Sequence, residues 1–271
     1  MINDIAIIIC LYKNDKVSFF KEALSSLFNQ EKVSPNIYLY IDGELNSELF
    51  SYIETLKSNN NIKIFHNKKN MGLAYGLNYL IENITPINEI KYIARMDSDD
   101  ISLPTRLYQQ WMFMENNIDI DVLGCQCEEF GSSFSITKKL PIKHKEILNF
   151  SIVRCPLIHP TVFFRKRIFQ NGILYPTNTH FTEDMCLWFE LLYKGYKFHN
   201  LDEVLLKYRL NEDTLVRRRG TNKAYNEINL RLGYMFLLRK FSIKNTFLIL
   251  SRFVFHLLPN FILKFLYKYF R

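Results

Sequence analysis

In its first hundred residues the chain alternates between short β-branched runs and segments whose apolar residues recur three and four apart. Ile5 to Cys10 is unbroken apolar sequence, the pattern of a strand buried on both faces. Ser18 to Asn29 sets Phe19, Phe20, Ala23, Leu24, Leu27 and Phe28 on one helical face. The alternation continues as a predicted strand over 37–41, stopped by Asp42-Gly43, then a helix over 47–57 and a strand over 62–65. A helix over 72–84 follows, and a strand over 90–96 that ends at Asp97. This βαβαβαβ order implies an α/β fold with a mostly parallel central sheet and helices on both faces. Beyond Pro104 the periodicity loosens. A helix is expected over 105–115, strands near 121–128 and 133–139, a helix over 182–193 and a strand near 203–208. The expected organisation is a nucleotide-binding half over 1–100, a half over 101–220 that completes the sheet and receives a second substrate, and a helical segment over 221–271.

Composition narrows the function classes. With 271 residues, 48% hydrophobic and 23% charged, the chain suits one large domain, with or without a small appendage, and not a disordered chain. Its net charge of +8 is unevenly placed: no acid follows Glu227, and eight of the 35 basic residues lie beyond it, leaving 27 against 27 acids in the rest. The excess sits in an aromatic tail rather than on the body. That argues against nucleic acid as a partner and for an anionic membrane surface. Five scattered cysteines (Cys10, Cys125, Cys127, Cys155 and Cys186) form neither a disulfide framework nor a zinc-ligand spacing, and read as buried thiols. The N-terminus starts directly on a strand pattern, without the basic and apolar regions of a secretory leader, which reads as cytoplasmic.

In open parallel sheets ligands bind beyond the carboxyl ends of the strands. Three polar signals fall there: Tyr12 to Asp15, Asp42-Gly43, and Asp97-Ser98-Asp99-Asp100. Carboxylates this close repel one another, and a divalent cation relieves the repulsion. Hard oxygen ligands suit Mg²⁺ or Mn²⁺, which complete their shells with substrate phosphates. A solvated turn that caps the helix after Pro104 accounts for the same residues. Glu183-Asp184 opens the helix over 182–193, where backbone N–H groups and the helix dipole hold a carboxylate. Such a group serves as general base for an acceptor hydroxyl or, with Thr182, as an ordinary helix cap. His159, before Pro160, is a hydrogen-bonded core residue or part of a site. Arg217-Arg218-Arg219 is a solvated turn or a clamp for a diphosphate.

The segment from Tyr92 to Arg106, which holds Arg95, Asp97 and Asp99, resembles the metal-binding strand end of family 2 glycosyltransferases, inverting enzymes of the Rossmann-like GT-A fold. Asn70 to Asn78 looks like the Asn-x-Gly segment that leads a helix in that family, and Ile7 to Asn14 like its opening strand and uridine loop. The similarity runs on through His159-Pro160-Thr161, Thr182 to Trp188, Gly195 to Asn200 and Val204 to Arg209, covering about residues 3 to 220 in order. Two features depart from the pattern. Asp42 stands alone where the family often has two adjacent Asp, and Cys10-Leu11-Tyr12 replaces a Pro-x-Tyr turn. Within the family the chain looks most like enzymes that build bacterial O-antigen or capsule on a lipid carrier. The resemblance implies that Asp97 and Asp99 hold Mn²⁺ or Mg²⁺. It implies that Leu11, Tyr12, Asp42, Asn70, Gly72, Arg95, Asp97 and His159 line a nucleotide-sugar site, and that Asp184, with Glu183 beside it, is the base. The implied reaction moves a hexose, galactose or glucose, from a UDP-sugar to a lipid-linked acceptor in β linkage. Two rivals stand beside it. A sugar nucleotidyltransferase would carry a glycine-rich phosphate loop, yet Cys10 to Lys16 has no glycine. An inactive sugar-binding membrane adaptor would not need Asp97, Asp99 and Asp184.

Phe247 to Leu266 is apolar enough to prompt a spanning helix of ~20 residues. Arg252, His256 and Lys264 interrupt it, and Pro259 breaks it near the middle. Lys244, Arg252, His256, Asn260, Lys264 and Lys268 lie at multiples of four from one another, on one drifting helical stripe. The expectation is a segment lying in the interface on the cytoplasmic face of the bacterial inner membrane; the alternative is a helical pair packed on the body.

Overall fold

The computed structural model describes residues 1–131, 136–179, 182–210 and 221–257, without the side chains of 221–223 and 254–257. The apolar runs become the strands they predict. β1 (Ile5–Tyr12), β2 (Asn36–Asp42), β3 (Ile62–Asn67) and β4 (Tyr92–Arg95) pair in parallel in the order β3-β2-β1-β4. Successive residues of a strand point to opposite faces, so each strand feeds two cores. On one face Ile7, Ile9 and Leu39 meet Phe20 and Leu24 of α1 (Val17–Phe28) and Leu49 and Ile53 of α2 (Ser47–Leu56). On the other, Ala6, Ile8 and Tyr40 meet Leu77, Leu80 and Ile81 of α3 (Leu73–Ile84). The Asn46 side chain accepts the Leu49 N–H at 2.9 Å and donates to the Lys13 carbonyl at 3.0 Å. One side chain thus caps α2, at about 1 kcal/mol, and fixes the loop after β1.

After β4 the sheet changes direction. The chain runs through β5 (Ile101–Ser102), α4 (Arg106–Asn116), β6 (Val122–Phe130), β7 (Ile136–Lys138) and α5 (His144–Ser151). A tight turn at His159–Thr161, β8 (Phe163–Arg165), α6 (Arg167–Gln170), α7 (Glu183–Tyr193) and β9 (Phe198–Arg209) follow. These strands extend the sheet as β4-β8-β6-β9-β5, with β7 on β6. β8 is antiparallel to both neighbours, whereas the long β6–β9 ladder is parallel. The strand expected near 203–208 begins earlier, at Phe198.

The last two described helices, α8 (Thr221–Leu237) and α9 (Ile243–Leu257), form a hairpin against the body. Ile228, Met235 and Ile249 share a core with Ile152 and with Met185 and Phe189 of α7. The rings of Phe189 and Tyr234 stack at 4.8 Å. Buried Glu227 receives Arg231 at 2.9 Å and Arg252 at 2.6 Å. Arg231 also donates to the Ser151 and Ile152 carbonyls, and Arg252 to that of Val153. The start of the tail therefore follows the packed-pair alternative, and Arg252 is corrected from a headgroup-facing residue to an inward clamp. Among the described residues no helix is long and apolar enough to cross a membrane. Arg217-Arg218-Arg219 and residues 258–271, with Lys264 and Lys268, lie outside the described residues.

Candidate active site

β1 and β2 end side by side, with Tyr12 opposite Asp42. The buried Asp42 carboxylate accepts the N–H groups of Met71 at 2.7 Å and Gly72 at 2.9 Å, and the Asn70 amide donates to the Asp42 carbonyl at 3.2 Å. Asp42, Asn70 and Gly72 are thus brought together, and Asp42 uses an oxygen on each N–H to fix the loop that leads α3. Gly72 sits at φ +92°, a conformation that favours glycine. Leu11 is not brought to the cleft. Its side chain is fully buried in the core, which leaves only its backbone to meet a base.

The end of β4 carries the acids. Ligand oxygens of Asp97, Asp99 and Asp100 all lie within 4.8 Å of one another. Asp100 is fully buried: one oxygen accepts the Arg209 N–H at 2.7 Å, and Oδ2 has no hydrogen-bond partner. The Arg209 guanidinium donates to the Asp99 carbonyl at 2.7 Å and lies over the Phe19 and Phe130 rings. Asp15 joins from the β1 end. It accepts the Tyr12 N–H at 2.9 Å and a hydrogen bond from Ser98. Burial, then the charge of Asp97, raises Asp99 to about 6. Burial, against the Tyr12 N–H and with the charges of Asp99 and Asp97, raises Asp15 to about 7. Burial with Asp97 and Asp99 holds Asp100 well above the carboxylate range. An all-oxygen donor set, crowded enough to resist ionisation and with one orphaned buried oxygen, fits Mg²⁺ or Mn²⁺.

Arg95 lies beneath this cluster, paired with Asp97 and 2% exposed. Burial opposes its charge, but the Asp97 carboxylate outweighs that and holds Arg95 above the ordinary arginine value. Its Nε and Nη1 have no hydrogen-bond partner.

The remaining candidate residues come from the second half of the chain. Asn78, on α3, receives the Tyr175 N–H at 2.8 Å and donates to the Tyr175 carbonyl at 2.7 Å. The Tyr175 hydroxyl bonds His159 Nε2 at 2.8 Å, and the His159 ring meets Trp188 edge-on at 5.9 Å. Burial, then the nearby Arg95 charge, pushes His159 well below its usual range. Burial pushes the Tyr175 hydroxyl up; the Arg95 charge opposes this, and the charges of Asp184 and Glu183 add to it. Tyr175 therefore stands within electrostatic reach of both the β4 end and the start of α7. Thr182 makes no capping bond there. Asp184 accepts the Met185 N–H at 2.7 Å and the Cys155 thiol at 3.8 Å.

Three residues of this arrangement escaped the sequence reading as site residues. Asp15 closes the polar signal that begins at Tyr12. Arg106 ends the segment that resembles the metal-binding strand end. Fully buried, it donates to the Arg95 carbonyl at 2.8 Å and to Gln110 at 3.2 Å, and burial lowers it to about 10. It holds the backbone of the β4 end in place. Tyr175 had no sequence signal. A separate groove of about 440 Å³, lined by residues including Leu45, Phe50, Ile53 and Ile64, contains none of the candidate site residues.

Comparison with known proteins agrees with this fold. The sequence profile of glycosyl transferase family 2 matches residues 6–192. The amylovoran biosynthesis glycosyltransferase AmsE of Erwinia amylovora is 30% identical over 97% of each chain. The UDP-Gal:alpha-D-GlcNAc-diphosphoundecaprenol beta-1,3-galactosyltransferase of Escherichia coli is 31% identical over 97% of this chain and 94% of its own. S. aureus TarS 1–349, crystallised with UDP-GlcNAc, superposes with a TM-score of 0.63 at 16% identity, covering 88% of this chain and 71% of its own. The mannosyltransferase PcManGT of Pyrobaculum calidifontis, in complex with GDP-Man and Mn²⁺, gives 0.59 at 10% identity, covering 94% and 81%. The sheet, its helices and the profile agree, and the chain belongs to glycosyl transferase family 2, a glycosyltransferase of GT-A fold.

Proposed function

We propose that this glycosyltransferase moves galactose or glucose from a UDP-sugar to a lipid-linked, diphosphate-borne sugar. The product is a β linkage in bacterial surface polysaccharide, formed at the cytoplasmic face of the inner membrane. The observation that carries the reading is the bridge made by His159 and Tyr175. Its Tyr175 feels the charge of Arg95, at the acidic β4 end suited to a divalent cation that would take a nucleotide diphosphate, and the charges of the carboxylates that open α7. The name of the Escherichia coli relative, which specifies UDP-Gal and a GlcNAc-diphospholipid, supports donor and acceptor of this class.

The chain's own groups divide the work. Asp97 and Asp99, with Asp100 beside them, would hold Mn²⁺ or Mg²⁺, which supplies charge neutralisation for the departing UDP. Tyr12, at the end of β1, lies where the nucleoside enters, next to the loop that Asp42 fixes. Arg95 keeps a buried positive charge beside Asp97, where negative charge gathers on the leaving group. Asp184, held by the Met185 N–H and the Cys155 thiol at the positive end of α7, takes the proton of the acceptor hydroxyl as that oxygen attacks the anomeric carbon. Neutral His159 rests edge-on against Trp188, which is fully buried in the core. The test incubates purified protein with a panel of UDP- and GDP-sugars and a synthetic GlcNAc-diphospho-lipid. One UDP-hexose should release UDP and extend the lipid; release from none of them, or from GDP-sugars alone, overturns the proposal.

A further inference from the structure

The α8–α9 hairpin has two unlike sides. Its inner side is the core with α7 and the Glu227 clamp. Its outer side is apolar yet exposed. Ile243, Phe247 and Leu250 recur at helical spacing along α9, and Ile243 and Phe247 are 83% and 71% exposed. At the tip Phe236 and Phe241 are also exposed, their rings stacked on each other at 5.3 Å. Singly exposed apolar residues are ordinary, but a contiguous set of large ones marks an interaction surface. The charges that the hairpin itself carries beyond Glu227 have one sign. Arg239 and Lys244 are exposed and Lys240 half-buried beside the tip, and no Asp or Glu occurs anywhere after Glu227.

We infer that this outer face is a lipid-docking surface. The rings of Phe236, Phe241 and Phe247 and the side chains of Ile243 and Leu250 enter the headgroup–acyl boundary, while Arg239, Lys240 and Lys244 meet anionic headgroups. A protein partner would accept apolar contact, but a strip of aromatic and aliphatic groups edged on the hairpin only by cations complements an anionic bilayer. The stripe differs from the one periodicity marks, because Arg252 points inward to Glu227 and only Lys244 of that set stays outside among the described side chains. The inner side of the hairpin packs on α7, whose first turn bears Asp184, so docking would hold the proposed base at a set height above the bilayer. This deepens the reading of a membrane-borne acceptor and is tested without it.

The experiment is co-sedimentation of the full chain with vesicles of phosphatidylglycerol and phosphatidylethanolamine, against vesicles of phosphatidylcholine alone. Two multiple variants accompany it, Phe241→Ser with Phe247→Ser, and Arg239→Ser with Lys240→Ser and Lys244→Ser. Calorimetric UDP binding and the unfolding temperature verify that each variant is folded. The wild-type chain should bind anionic vesicles, bind neutral ones weakly, and release as salt rises. The triple basic variant should lose about a hundredfold in partitioning, since each charge near an anionic surface is worth about fivefold. The double Phe variant should lose at least about tenfold. Three results overturn the inference: no binding at low salt, binding unchanged in both variants, or a wild-type dimer that the Phe variant makes monomeric, which gives the face to a second copy. A chain that docks through this face but transfers no sugar leaves the surface standing and removes the proposed activity.

Discussion

At the scale of single residues, the proposed chemistry rests on Asp184 and on the group that links it to the acids. Asp184→Asn keeps the shape and the Met185 N–H contact but cannot take a proton. Its kcat should fall by about 10²–10⁴-fold, with calorimetric UDP binding unchanged. If Glu183→Gln showed that loss and Asp184→Asn did not, the two roles would exchange. His159 makes a second claim, about pH. Its folded pKa is pushed down, by burial first and then by Arg95, while the unfolded chain titrates near 6.5. A depressed histidine stabilises fully above its unfolded pKa, and that contribution drains away as pH falls toward the folded value. The stability gap between wild type and His159→Gln should therefore shrink as pH drops from about 7.5 to 5. Parallel denaturation midpoints across that range would refute a neutral His159. The segments that hold Asp97, Asp99 and Asp184 stood out by composition, though the roles proposed for them came from the family resemblance. Tyr175 did not, because its role comes from Asn78, 97 residues earlier, and from His159, 16 residues earlier. Local pattern holds no record of such pairs.

At the scale of elements, the first half of the fold was readable because β1, β2 and β4 are buried on both faces, and apolar runs of four to eight residues stand out from helices. β5 was missed since two residues cannot display a period. α5 and α6, at eight and four residues, were missed for a similar reason. The hairpin's attachment was open because a buried Glu227–Arg231 pair reads, one-dimensionally, like any i, i+4 pair on a solvated helix. Element packing also supplies a prediction. α3 can lie close to β1 and β2 only because position 76 has no Cβ: one placed there would come within 2.5 Å of Tyr40 Cδ1 and 2.9 Å of Cys10 Sγ. Tyr40 is itself buried and hemmed in by Tyr75 and Tyr79. Gly76→Ala should cost about 1–3 kcal/mol in chemical denaturation, as overpacking does. An alanine at that position as stable as the wild type would mean that α3 stands farther from the sheet.

At the scale of the whole molecule, the sheet separates two tasks. The parallel ladder β3-β2-β1-β4 delivers Tyr12, Asp42, Asp97 and Asp99 to one end, and the chain's second half brings His159, Tyr175 and α7 to meet them. On the proposed reading, a donor whose diphosphate lies by Asp97 and Asp99 has its sugar toward Tyr175 and Asp184, with the leaving group on the side away from the base. A hydroxyl activated by Asp184 attacks opposite the departing UDP, and one such displacement inverts the anomeric centre. A UDP-α-hexose should give a β-linked product, read by NMR as a large anomeric coupling for a gluco or galacto residue. The acid cluster adds a second readout on the same assay. EDTA should abolish transfer, and Mn²⁺ or Mg²⁺ should restore it, because burial and the Asp97 charge make Asp99 and Asp100 resist ionisation, and a bound cation offsets both. A small α-type coupling would contradict a single displacement and place the attacking oxygen on the other face of the sugar. Full activity of metal-free protein in EDTA would instead leave Arg95, the buried cation beside Asp97, to meet the diphosphate without a metal.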